Sequence, residues 1–148
     1  MSALSDFLDG ASPDAQGRSH AEILALPDAE IEARHDFIQW LFPLPEPSRA
    51  VPGSPFLTPG DVEAIRGSEA GLRNLEAAAR RMLAFYAGTR HWLRSHDHNH
   101  LRITRIIRSL RLLVGDEAAD AFRAGIRALA AEAGAPINSA TLRFWDEA

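Results

Sequence analysis

Residues 98–114 read HNHLRITRIIRSLRLLV. At 100° per residue, Ile103, Ile106, Ile107, Leu110, Leu113 and Val114 gather on one side of a helix. Arg102, Arg105, Arg108 and Arg111 fan over the other side, together with Leu101 and Leu112. A face given wholly to water has no use for those two leucines, so the segment reads as a central helix contacted on both faces. Gly115 closes it.

Working outward, the same period recurs. Asp116 caps a helix to about Ala133, whose stripe is Ala119, Phe122, Ile126, Leu129 and Ala133. Gly134-Ala135-Pro136 is a turn, and Ser139 caps a last short helix carrying Leu142, Phe144 and Trp145. On the other side, Thr89 to Asp97 reads as a loop. Ser68 caps a helix to about Ala87 with Leu72, Leu75, Ala79, Met82, Leu83 and Tyr86 on one face, and Gly88 ends it. Thr58-Pro59 pairs a cap with a first-turn proline and opens a helix to about Arg66. Residues 43–59 hold six prolines in 17 positions, a polyproline-like strap with Leu44, Val51, Phe56 and Leu57 as apolar anchors. Before it, Asp28 caps a helix from Ala29 to about Leu41, which Pro43 stops. Ser19-x-x-Glu22 is a capping box for a shorter helix ended by Pro27. Ser2 to Leu8 reads as a first short helix and Gly10 to Gly17 as a loop. No strand pattern or internal repeat breaks the series. The expectation is an all-α fold: a single compact domain over residues 1–148, with about six helices around a central Arg-rich helix and the Pro-rich strap at 43–59.

With 148 residues, 46% of them apolar, the chain can bury a real core. It has no cysteine, which excludes disulfides, thiolate metal sites and Cys nucleophiles. The acidic N-terminus lacks a signal pattern, and no apolar run approaches the roughly 20 residues of a membrane span. A cytoplasmic protein without a transmembrane segment is expected. All 16 basic residues are Arg and Ala is abundant, which reads as a GC-rich coding bias and a bacterial source. Net charge is −4 but uneven: residues 1–48 hold nine acids against Arg18 and Arg34. Residues 88–115 hold six Arg and four His against Asp97 alone. The acidic part is expected to pack beside the basic segment and neutralise it. Nucleic acid is not an expected partner, because such domains usually carry net positive charge.

Two strings are uncommon for generic helices: HDFIQWLFPLPEP at 35–47 and HNHLRITRI at 98–106. In that order they resemble the opioid growth factor receptor conserved-domain family, whose marks include Ile-Gln-Trp-Leu-Phe-Pro and His-Asn-x-Leu-Arg-Ile-Thr-Arg-Ile. Pro13 to Ile23, Arg81-Met82-Leu83-Ala84-Phe85-Tyr86, and Ser139-Ala140-x-Leu142 with Phe144 resemble further family segments. The chain departs from the family in a shorter stretch from Ala87 to Asp97 and in lacking its long tails and repeats. The resemblance implies a non-enzymatic, receptor-like peptide-binding module. Vertebrate members are described as receptors for the enkephalin pentapeptide, associated with the nucleus and internal membranes.

The residues suggest where a ligand would sit. Gln39, Trp40 and Phe42 precede a proline break, and aromatic shelves beside extended segments recognise peptides. The competing reading makes Trp40 a core anchor, with the Gln39 amide satisfying nearby backbone. His98, Asn99, Arg102, Thr104 and Arg105 open the central helix, and Arg102 with Arg105 could clamp a carboxylate or phosphate while an aromatic residue packs on Trp40 or Tyr86. Against that, the same arginines could pair with Glu32, Asp36 or Asp61. The ligand-binding set expected is Gln39, Trp40, Phe42, Tyr86, His98, Asn99, Arg102 and Arg105, and the partner a peptide, a protein or a small anion. His91, His96, His98 and His100 invite a metal, but His98 and His100 diverge on a helix, so neither metal nor cofactor is expected. No nucleophile motif, phosphate loop or carboxylate pair is present, so no catalytic residue is assigned. The alternatives are a phosphate-binding protein or enzyme using His98, Arg102 and Arg105, and a purely structural interaction domain.

Overall fold

A computed structural model describes residues 2–148 and is all helical, with nine helices among the described residues. They are α1 (Ala3–Leu8), α2 (His20–Leu24), α3 (Asp28–Ala33), α4 (Ile38–Leu41), α5 (Pro59–Arg66), α6 (Glu69–Gly88), α7 (His98–Leu113), α8 (Asp116–Ala133) and α9 (Ser139–Glu147). The count exceeds about six because several elements are only one or two turns long.

Local chemistry sets most boundaries. The side chains of Ser19, Thr58 and Ser68 each accept a hydrogen bond from the backbone N–H three residues on, at the starts of α2, α5 and α6. At α5 the box is reciprocal, since Asp61 accepts from the Thr58 N–H. Gly134 stops α8 in the left-handed region at φ 60°, where a side chain would be strained. The last helix is capped by Asn138, one residue earlier than Ser139, because the Asn138 carboxamide accepts from Ala140 and Thr141.

α7 occupies the centre as its pattern requires. Ile103, Ile106, Ile107, Leu110 and Leu113 are buried and α8 packs along them. α5, α6 and α9 complete the surround. One apolar cluster joins this seam to Phe7, Ile23, Phe37, Trp40, Phe42, Met82, Phe85, Trp92 and Trp145. Trp92 and Trp145 are fully buried, and their indole N–H groups donate to the Tyr86 and His100 carbonyls. Among the described residues no helix is long and apolar enough to cross a membrane.

Asp28 and Asp116 do not cap: each is the first residue of its helix, after Pro27 and Gly115, and neither helix start has a side-chain cap hydrogen bond. Three larger expectations need correction. The helix read from Ala29 to Leu41 is two helices, α3 and α4, separated at Arg34, whose backbone is extended (φ −92°, ψ 140°). At the break, Arg102 binds the Ile31 and Arg34 carbonyls that an unbroken helix would have used, as described below. Leu101 does not contribute to a second packed face; it is 72% exposed, while Leu112 packs against the core. The strap is pinned at its ends and not along its length. Leu44 and Leu57 are buried and joined by a backbone hydrogen bond of 2.8 Å, whereas Val51 is half-buried and Phe56 is exposed. Residues 45–56 therefore form a loop closed at its neck.

Candidate functional site

The four arginines of α7 grip the rest of the chain in sequence order. Arg102 donates through Nη1 to the Ile31 carbonyl at 2.8 Å and through Nη2 to the Arg34 carbonyl, and its guanidinium lies 5.5 Å from the centre of the Phe37 ring. Arg105 donates through Nε to the Phe42 carbonyl at 2.9 Å. Ser109 takes the Pro43 carbonyl at 2.8 Å, and Arg108 pairs with Glu46 on the loop at 2.6 Å. Arg111 reaches back to Asp116 and Asp120 of α8 and to the Ala148 carbonyl. The segment 31–46 thus runs alongside α7 and is fastened rung by rung.

The rungs differ in electrostatics. Arg108 and Arg111 have carboxylate partners. Arg102 and Arg105 have none among the described residues: Arg105 is held by a carbonyl dipole, and Arg102 by two carbonyls, the Phe37 ring and His35 Nδ1 at 3.3 Å. Burial disfavours the charged form of both, and Arg105 falls to about 10 because it is desolvated and sits beside Arg108. Both remain cationic at neutral pH. The acids expected to neutralise them are engaged elsewhere. Asp36 pairs with Arg18 at 3.0 Å, and Asp61 caps α5. Glu32 accepts from His98 at 2.8 Å and Asn99 at 3.0 Å and lies 3.4 Å from His91.

Asn99 is the centre of a buried polar knot. It donates to Glu32 and to Asp97, and it accepts the Tyr86 hydroxyl at 3.1 Å. Burial pushes the Tyr86 phenol up, so it stays protonated and donates. Burial also pushes the Asp97 carboxyl up, but hydrogen bonds from Asn99 and Arg94 outweigh it and hold the group below its ordinary range. This knot fixes the N-terminus of α7 against α3 and α6.

Between the 45–56 loop and α7 lies a groove of about 290 Å³. Its walls include His35, Gln39, Arg49, His98, Leu101, Arg102, Arg105 and Arg108, with Glu46 as the acid among the lining residues. Two polar atoms of these walls are buried without a partner: Arg105 Nη2 and Gln39 Oε1. Gln39 is only 4% exposed and Arg102 7%, so both are built into the floor. A second cleft, about 560 Å³, opens between α6 and α8. Its charges, Glu76, Arg80 and Glu117, are of mixed sign and exposed, and it contains none of the expected residues.

The structure brings together half of the expected set. Gln39, His98, Arg102 and Arg105 line the groove. Trp40, Phe42 and Tyr86 do not, because each is packed in the core; Trp40 meets Phe7 edge-on at 5.3 Å. Phe42 contributes its carbonyl to Arg105 and not its ring to a ligand shelf. Asn99 is fully buried in its knot. The four histidines disperse: His91 and His98 face Glu32, His96 lies near Asn138, and His100 is buried beside Trp145. The sequence reading missed His35, Arg49, Leu101 and Arg108 as groove residues. Only the one-turn spacing of Arg108 from Arg105 could have indicated one of them.

Fold and groove together define a helical domain with a cationic cleft in a net-acidic chain. The sequence profile described as the opioid growth factor receptor (OGFr) conserved region matches residues 27–91, from α3 through α6 and ending before α7. The rat protein named opioid growth factor receptor is 41% identical over 98 residues, covering 54% of this chain and 17% of the rat protein. Its mouse counterpart is 41% identical over 98 residues, covering 54% and 15%, and the human protein 37%, covering 54% and 14%. The similarity therefore spans no more than 17% of these relatives. No solved structure matches the chain significantly.

Proposed function

We propose that this chain is a non-enzymatic binding module of the opioid growth factor receptor conserved-region type, and that it takes a peptide or a segment of a protein in the groove between the 45–56 loop and α7. The observation that carries this reading is the pair Arg102 and Arg105: a buried and a half-buried guanidinium, one turn apart on one helix, neither in an ion pair with a carboxylate among the described residues. Removing one partner of a buried ion pair is costly, so an arrangement without partners suits a site completed by an anionic ligand. Similarity to proteins named opioid growth factor receptor supports the same class of partner. Nothing in the groove resembles a nucleophile with its base, which favours binding over catalysis.

A thermal-shift panel with enkephalin-type pentapeptides, scrambled peptides and phosphate tests it. A ligand at about 100 times its Kd adds about 2.7 kcal/mol to the folded state, an easily read shift. Stabilisation by a peptide that weakens with added salt and is abolished in Arg105→Met supports the groove. Stabilisation that persists in that variant places binding elsewhere and sinks the reading.

A further inference from the structure

We propose that the groove floor recognises the C-terminal residue of its peptide, with the free carboxylate on Arg105 and the backbone N–H of the same residue on Gln39 Oε1. This rests on the groove being the binding site.

The donor and acceptor inventory leads there. Arg105 uses Nε on the Phe42 carbonyl, which leaves Nη2 as a buried donor with no acceptor. Gln39 holds the opposite deficit, since its Oε1 is a buried acceptor with no donor, on a side chain 96% removed from solvent. Buried polar atoms are normally paired, so two unpaired atoms of opposite type on residues that line one groove, reached by a small turn of each side chain toward it, match a ligand carrying both an acceptor and a donor. A carboxylate side chain supplies the acceptor only, and inorganic phosphate carries its O–H donor and its acceptors on a single phosphorus. The last residue of a peptide supplies both, a carboxylate and an amide N–H on one α-carbon. Arg102, bound through Nη1 and Nη2 to Ile31 and Arg34, adds a second positive charge without competing for the same contacts. Leu101 is a groove residue left 72% exposed at its edge, and it offers an apolar side chain to that of the terminal residue. The volume fits: about 290 Å³ holds one or two residues and not a long peptide, so only the end of the ligand enters. Glu46, which pairs with Arg108 at 2.6 Å and lies close enough to Arg105 to feel its charge, marks how a carboxylate reaches this wall.

The experiment uses the whole chain, ¹⁵N-labelled, and two pools of N-acetylated random tetrapeptides that differ only in ending as a free acid or a carboxamide. Inorganic phosphate is the third probe. The Arg105 Nε–H and the Gln39 side-chain amide are the reporters. The acid pool is expected to move both signals and to bind roughly ten- to a hundredfold tighter than the amide pool, the range for one charge-assisted contact. Phosphate is expected to move Arg105 alone. In Arg105→Met the preference for the acid collapses towards unity. Gln39→Met, which exchanges a buried amide for a thioether of similar length, weakens the acid pool while keeping its preference, and it serves should the first variant fail to fold. Equal binding of the two pools overturns the C-terminal subsite and leaves the groove reading standing. No response to either pool overturns both. Phosphate moving both signals as strongly as the acid pool overturns the peptide assignment in favour of a simple anion site.

Discussion

The two ends of α7 carry the same residue at the same spacing and use it differently. At the C-terminal end, Arg108 and Arg111 meet Glu46, Asp116 and Asp120 in exposed ion pairs. At the N-terminal end, Arg102 is buried and Arg105 half-buried, and their guanidiniums meet carbonyl oxygens, an aromatic ring and an imidazole in place of carboxylates. A periodic Arg ladder therefore does not define one environment. What differs is the segment lying opposite: acids from the loop and α8 at one end, the broken backbone of 31–43 at the other. Exposed pairs hold elements loosely and are screened by salt, whereas a guanidinium on carbonyls both ties the backbone and leaves a net charge behind.

The largest test of this contrast is Arg102→Met. It strips the donors from the Ile31 and Arg34 carbonyls and the cation from the Phe37 ring, and it is expected to cost about 3 kcal/mol in urea denaturation. A loss under about 1 kcal/mol would show that the α3–α4 break stands without it. Next comes Asp97→Ala, which removes the acceptor for the Asn99 N–H at the start of α7 and costs about 1 kcal/mol. Asp97 also gives the contrast a pH signature. Its carboxyl is held below the ordinary value in the folded state, so its contribution is present above the unfolded pKa of about 3.9 and is lost as pH falls through the lower folded value. Asp97→Asn should flatten that acid limb while retaining the cap, and an unchanged limb would assign it to other carboxylates. Arg105→Met is expected to alter stability by less than about 1 kcal/mol, because losing the Phe42 contact is offset by removing a half-buried charge that has no ion-pair partner. A loss as large as that of Arg102→Met would erase the distinction between a fastening rung and a ligand-facing one. The smallest effect belongs to Arg111→Met, about 0.5 kcal/mol at low salt and vanishing as salt is raised.

Much of this was legible in the sequence, for reasons that are local. Caps at Ser19, Thr58 and Ser68, the stop at Gly134 and the apolar seam of α7 each depend on residues within a few positions of one another. The α3–α4 break was not legible, because the side chain that takes up the freed Arg34 carbonyl comes from roughly 70 positions away. Trp40 misleads for a related reason. An aromatic residue before a proline break suits a ligand shelf or a core equally well, and only the position of Phe7 from α1 decides for the core. Gln39 was singled out as a residue, but its exceptional feature is an atom left without a partner, which no sequence pattern displays. The arginines were seen as a pair, while their lack of acids depended on where Glu32, Asp36 and Asp61 were drawn.

The clasp between Leu44 and Leu57 has a practical meaning for protein engineering. A loop whose ends are already held together by a backbone hydrogen bond and two buried leucines transmits little of its own length to the body that carries it. Each doubling of such a loop costs only about 0.6 kcal/mol in closure entropy. Residues 45–56 are thus the natural cassette of this molecule: a stretch that can be lengthened, exchanged or fitted with a reporter, changing what roofs the groove while the helical frame beneath it stays in register.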